Sequence, residues 1–285
     1  MISPLVSTEW LATRLDRPEL RVLDCSVIMK IEPDGTYAFV GGADEWAAAH
    51  IPGSAYVDPR SELAAKNAPL ANTAPPLPEL AATFERYGIG DGTEVVLYDR
   101  GNHAWATRVF WLLRACGFDA AGVLDGGWQK WTAEGRPTST TPPRHPRGRL
   151  TLRPRPEVFA DKRVVQQALG EPTVTLLNAL SPEEHRGTAP TKLPRAGRIP
   201  GSRNVYCQTL IDPVTKAYKP LPELRDLFSS AGALDGERTI VYCGGGIAAT
   251  SDAFVLALLG RTDVAVYDGS LAEWTADPTL PMERG

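Results

Sequence analysis

The feature that most restricts this chain is that it repeats itself. Ala49-His50-Ile51-Pro52-Gly53-Ser54 in the first half returns as Gly197-Arg198-Ile199-Pro200-Gly201-Ser202 in the second. The flanking segments keep register. Glu94-Val95-Val96-Leu97-Tyr98-Asp99 answers to Thr239-Ile240-Val241-Tyr242-Cys243, and Val123-Leu124-Asp125-Gly126 with Trp131 answers to Val266-Tyr267-Asp268-Gly269 with Trp274. Similarity over whole halves means one fold built twice. The 285 residues therefore divide into two domains of roughly 130 each, an ordinary domain size. Residues 1–137 are expected to form the first and 157–285 the second. Residues 138–156 are rich in Thr, Pro and Arg, lack apolar periodicity and hold prolines that would break a helix or an inner strand. This stretch is expected to be the linker, able to lie as an extended strap against both domains.

Within each copy, strand and helix patterns alternate. Ser7 is placed to cap a helix through Leu15, and Arg21 to Cys25 reads as a buried strand. Further helices are expected over 78–87, 104–116 and 128–134, with strands over 94–98 and 123–124. The second half repeats the alternation with helices over 162–169, 222–231 and 248–259 and strands over 174–177, 239–242 and 264–267. Such alternation implies an α/β fold: two tandem domains, each a parallel sheet with helices on both faces.

Bulk properties exclude several classes. A formal net charge of -4 gives no electrostatic reason to expect nucleic acid or an anionic membrane as partner. The middle of the chain is locally basic, with six arginines and one lysine from Arg144 to Arg163 and four more basic residues from Lys192 to Arg203. A solvated linker and loop account for that cluster. No apolar run approaches the roughly 20 residues that cross a bilayer, and Met1-Ile2-Ser3-Pro4 lacks the n-region and h-region of a signal peptide. A cytoplasmic location is expected. Cys25, Cys116, Cys207 and Cys243 are far apart with no C-x-x-C spacing, which argues against a zinc site and for free thiols in a reducing compartment. No metal and no cofactor are expected.

One of these cysteines stands apart. The strand 239–242 delivers Cys243 to the carboxyl edge of its sheet, where open α/β sheets bind ligands. Gly244, Gly245 and Gly246 follow, then Ile247, Ala248 and a helix. Glycines let the backbone curl with its N–H groups inward, and the helix adds the positive end of its dipole. Only a thiolate is nucleophilic, and donors converging at a helix N-terminus favour it over the thiol. Cys25, Cys116 and Cys207 are read as buried structural thiols.

These residues resemble the tandem-domain rhodaneses, the thiosulfate and 3-mercaptopyruvate sulfurtransferases, over nearly the whole chain. The likeness rests on the two I-P-G-S turns, the Val241-Tyr242-Cys243 strand end with its glycine loop, and Tyr267-Asp268-Gly269 with Trp274. The resemblance implies a catalytic second domain and a first domain that has lost its nucleophile, as Asp99 at the position of Cys243 suggests. It implies a cycle in which the cysteine takes a sulfur from a small donor as a persulfide and passes it to cyanide, a thiol or a thioredoxin-like protein. The loop is closer to the mercaptopyruvate pattern C-G-S-G-V-T than to thiosulfate loops with their basic side chains. Gly245 and Ala248 nevertheless replace its two hydroxyl residues, and 56–78 holds no histidine for the family's relay. Where that family carries R-F-x-G, this chain reads Glu184-His185-Arg186-Gly187. Arg186 and Arg195 are the candidates to grip the donor's anion, each against the alternative of a solvated charge.

Other classes compete. Gly244 to Ala249 satisfies G-x-G-x-x-A after a strand, the dinucleotide fingerprint, but the motif begins about 40 residues from the C-terminus, too few for a nucleotide-binding half. A cysteine phosphatase would need an arginine closing the loop, where Ala248, Ala249 and Thr250 stand. A non-catalytic binding module or sulfur relay is the remaining alternative.

Overall fold

The computed structural model describes residues 2–31 and 37–285, with Tyr37 described by its backbone alone. Met1, the first residue of the tetrapeptide read above, lies outside them. The chain forms two units: Met1–Lys66, Ala74–Arg155 and Asp212–Tyr218 make the first, and Asn67–Thr73, Pro156–Ile211 and Lys219–Gly285 the second. Each thus takes in a short segment from the other half of the sequence.

The first unit carries β1 (Leu5–Val6), α1 (Thr8–Ala12), β2 (Leu20–Asp24), β3 (Val27–Ile31), β4 (Tyr37–Gly41), α2 (Ala43–Ala48), β5 (Ser54–Tyr56), α3 (Leu77–Arg86), β6 (Glu94–Tyr98), α4 (Ala104–Ala115), β7 (Ala121–Leu124) and α5 (Gly127–Ala133). Its sheet is parallel in the order β1-β7-β6-β2-β5. The second carries β8 (Phe159–Ala160), α6 (Lys162–Gln167), β9 (Val174–Asn178), α7 (Pro182–Arg186), β10 (Arg203–Asn204), α8 (Leu221–Ser230), β11 (Arg238–Tyr242), α9 (Ala249–Leu258), β12 (Val264–Tyr267) and α10 (Ser270–Trp274). Its parallel order, β10-β9-β11-β12-β8, is the first sheet's order element for element, read from the other edge. Both sheets are flanked by helices.

The repeat is written into the interior as well. Tyr98 ends β6 with its hydroxyl 2.9 Å from Ser54 Oγ and accepting from the Ile51 N–H, and Tyr242 ends β11 with its hydroxyl 2.6 Å from Ser202 Oγ and accepting from the Ile199 N–H. Each I-P-G-S turn is thereby tied to the strand whose next residue is Asp99 or Cys243. Trp131 and Trp274 are fully buried, and each indole donates to a carbonyl beyond its helix, Pro137 at 2.8 Å and Pro281 at 2.9 Å. Burying such a side chain contributes about 3 kcal/mol.

One feature differs from the pattern reading. β3 and β4 form an antiparallel hairpin outside the βα alternation, with Met29 opposite Phe39. The stretch expected as linker lies along the first unit up to Arg155: Ser139 and His50 exchange backbone hydrogen bonds, and Arg153 and Arg155 donate to the carbonyls of Cys116 and Ala115. Part of its basic character is used there, since Arg147 pairs with Glu85 and Arg155 with Asp119. Among the described residues no helix is long and apolar enough to cross a membrane.

Candidate active site

β11 sits in the middle of the second sheet and its last residue, Tyr242, is anchored to the turn at Ser202, so the chain leaves the sheet at Cys243 from a fixed point. The thiol is 2% exposed and lies beneath the loop it begins. The Gly246 N–H donates to Cys243 Sγ at 3.2 Å. Gly246 is the glycine the turn requires: its φ is +81°, and a Cβ there would stand 2.5 Å from the Asp268 carbonyl oxygen. Gly244 and Gly245 face open space, so their lack of a side chain leaves the loop's outer face clear rather than fixing its path. Ile247 and Ala248 complete the loop, and Ala248 caps α9 without a side-chain hydrogen bond. The loop's other wall is α10, whose Leu271 and Ala272 N–H groups donate to the carbonyls of Cys243 and Gly244 at 3.0 and 2.8 Å.

Sequence reasoning missed a residue in that wall. Ser270 is fully buried, accepts from the Cys243 N–H at 3.1 Å, donates to the Tyr267 carbonyl at 2.8 Å, and has its Oγ 4.0 Å from Cys243 Sγ. It supplies a hydroxyl that Gly245 and Ala248 cannot. The signal was present in the repeat, where Asp125-Gly126-Gly127 becomes Asp268-Gly269-Ser270.

The first unit shows what the corresponding loop does with a carboxyl side chain. Asp99 Oδ1 accepts from the N–H groups of Gly101 and His103, and Oδ2 from those of Trp105 and Ala106, at 2.8 to 3.1 Å. Four main-chain donors thus converge on a carboxylate that cannot act as a sulfur nucleophile.

Both candidate arginines have partners of their own. Arg186, on α7, is exposed and paired with Glu183 at 2.9 Å. Arg195 donates to four carbonyls at and after the end of α10, those of Trp274, Thr275, Asp277 and Leu280, at 2.6 to 3.1 Å. It also lines a small pocket with Leu180, Glu184 and Leu271, the last being the residue whose N–H holds the Cys243 carbonyl. Glu184 closes a capping box with Ser181 at the start of α7.

Burial governs the remaining acids near the loop. The Cys207 thiol is pushed up by burial first and then by Asp252 and Cys243. Burial alone holds the Asp252 carboxyl well above the usual carboxylate range. All four cysteines are free. Among the described residues no group of His, Cys, Asp and Glu could hold a metal ion.

The Rhodanese-like domain family matches the chain twice, over residues 7–134 and 161–277. A probable 3-mercaptopyruvate sulfurtransferase of Pseudomonas aeruginosa is 33% identical over 290 residues, covering 99% of this chain and 98% of that one. The sulfur carrier protein TtuD of Thermus thermophilus is 32% identical over 294 residues, with 99% and 96% covered. Among solved structures, the 3-mercaptopyruvate sulfotransferase SseA of Escherichia coli superposes with a TM-score of 0.82 at 27% identity, over 94% of this chain and 99% of that one.

Proposed function

The chain belongs to the rhodanese-like family as a tandem-domain sulfurtransferase, and we propose that it carries its sulfur as a persulfide on Cys243, taken from a small donor and passed to a thiol, to cyanide or to a thioredoxin-like protein. The observation that carries this reading is the Gly246 N–H aimed at Cys243 Sγ at the N-terminal end of α9. A sulfur anion formed there meets a main-chain donor and the positive end of a helix dipole, both in place before reaction. The Asp99 loop supports the same point, because the corresponding loop of the first unit aims main-chain N–H groups at the side chain in the position of Cys243.

With 3-mercaptopyruvate the Cys243 thiolate attacks the donor's sulfur and the carbon–sulfur bond breaks. Its electron pair passes to carbon, and the resulting enolate takes up the proton that the sulfur carried and leaves as pyruvate. An acceptor thiolate then attacks the outer sulfur, the sulfur–sulfur bond breaks, and Cys243 returns as thiolate. Mercaptopyruvate is favoured over thiosulfate because the loop from Gly244 to Ala248 offers backbone N–H groups and no side-chain cation for a dianion. Arg186 and Arg195 are the two candidates to face a donor carboxylate: Arg195 lines the small pocket with Leu271 and donates to four carbonyls, and Arg186 on α7 is paired with Glu183. Free thiols throughout suit a cytoplasmic enzyme.

Steady-state assays following pyruvate and sulfite test the ranking. Mercaptopyruvate is expected to give the higher kcat/KM, and thiosulfate far ahead would overturn it. A second reading, a sulfur carrier loaded by another protein, is favoured by the likeness to TtuD. It predicts no turnover of either small donor while Cys243 accepts sulfur from a persulfidated protein.

A further inference from the structure

α10 is the wall against which the Cys243 loop is set. Its Leu271 and Ala272 N–H groups hold the carbonyls of Cys243 and Gly244 at 3.0 and 2.8 Å, and its Ser270 hydroxyl accepts from the Cys243 N–H. Yet α10 spans five residues, less than two turns, and a helix that short does not keep its shape unaided. The carbonyls of its last turn also have no partners within the helix. Arg195 supplies them from the stretch that precedes the second I-P-G-S turn. Its guanidinium donates to the carbonyls of Trp274 and Thr275 at the end of α10, and to those of Asp277 and Leu280 beyond it. Four of the five N–H groups of the fork are thereby used. A planar fork holds several acceptors in fixed directions, and a cation at the carboxyl end of a helix meets the negative end of its dipole.

The first unit shows that this clamp is not a requirement of the fold. Ala49 answers to Gly197 in the repeat, so Ala47 stands where Arg195 does. There α5, seven residues long, closes its loop without an arginine at that position, and the Trp128 N–H holds the Asp99 carbonyl at 3.1 Å as the Leu271 N–H holds that of Cys243. The clamp occurs in the unit that carries the cysteine.

We propose that Arg195 is a positioning residue of the Cys243 site: by tying down the carboxyl end of α10 it fixes, through that helix, the wall that keeps Cys243 and its loop in place for sulfur transfer. Its purpose rests on the proposed Cys243 chemistry, and its action on α10 is independent of any contact between its remaining N–H and a donor.

The test compares the full-length protein with Arg195→Ala in two measurements. In amide hydrogen exchange, which needs no donor, the variant is expected to exchange about tenfold faster at Leu271, Ala272 and Gly246, with β9 and β12 unchanged. In steady state with 3-mercaptopyruvate, kcat is expected to fall about tenfold while KM changes by less than about twofold. Millimolar guanidinium chloride is expected to reverse both effects, and sodium chloride to reverse neither. Arg195→Gln, which keeps an amide donor, takes the place of the alanine variant should that one fail to fold. Unchanged exchange at Leu271 and Ala272, faster exchange throughout the second sheet, or a rise in KM alone overturns the proposal. Absence of sulfur loading in the unmodified protein would defeat the proposed function, while the exchange of α10 still decided the role of Arg195.

Discussion

Ser270 holds a backbone conformation that costs a serine energy, with φ at +48°, while its counterpart in the first unit, Gly127, holds +51° without that cost. The serine's return is its hydroxyl, placed between the Cys243 N–H and the Tyr267 carbonyl and facing the sulfur. Ser270→Gly separates the two effects. It is expected to leave the thermal midpoint unchanged or slightly raised, because relieved strain offsets the lost hydrogen bonds. It is expected to lower kcat/KM for sulfur transfer about fivefold, the equivalent of roughly one neutral hydrogen bond. A lower midpoint with full activity would make Ser270 structural only. Cys243 was legible from the strand, glycines and helix that follow one another in sequence. Ser270 acts from 27 residues away, and only a comparison of the two repeats exposes it. Arg195 is legible only in part for a related reason: its charge is visible in sequence, but the four carbonyls it donates to belong to Trp274 and the residues after it, a stretch that carries no motif.

At the scale of the element, the loop between β11 and α9 is held by one glycine rather than three. Gly246→Ala is expected to reduce sulfur transfer by at least tenfold with the circular dichroism spectrum retained, since a Cβ at that φ meets the Asp268 carbonyl. Gly244→Ala and Gly245→Ala are expected to keep most of the activity, because nothing lies within 4 Å of either added carbon. Equal losses at all three positions would contradict this division. The elements themselves were largely readable: β6 and β12 have the expected bounds, and Ser7 accepts from the Trp10 N–H as an N-cap should. The hairpin of β3 and β4 was not, because Met29, Ile31 and Phe39 are exposed and its strands lack the buried run that marks a parallel strand. The short helices α2, α7 and α10 span five or six residues, too few for a 3.6-residue period to declare itself.

At the scale of the whole molecule, stability should depend on pH through His185. Burial, and then Arg198 beside it, lowers this imidazole from 6.5 to about 4. Between those values the unfolded chain binds the proton that the folded one refuses, so stability rises with pH across the window. The contribution is complete above 6.5 and lost as pH falls toward 4. His145 is lowered in the same direction. Urea midpoints measured across this window are expected to fall on acidification, and the slope to be shallower in His185→Asn; an unchanged slope would contradict the assignment. The two-fold internal architecture was plain from the repeated turns, whereas the exchange of Asn67–Thr73 and Asp212–Tyr218 between units was not, because neither segment has periodicity of its own. The proposed function has the second unit hold the transferred sulfur on Cys243. Intact mass after incubation with 3-mercaptopyruvate tests this most directly. The unmodified protein is expected to gain one sulfur atom, mapped to the Cys243 peptide, removed by cyanide and absent in Cys243→Ser. A sulfur retained in that variant, or mapped to Cys25, Cys116 or Cys207, would contradict the account.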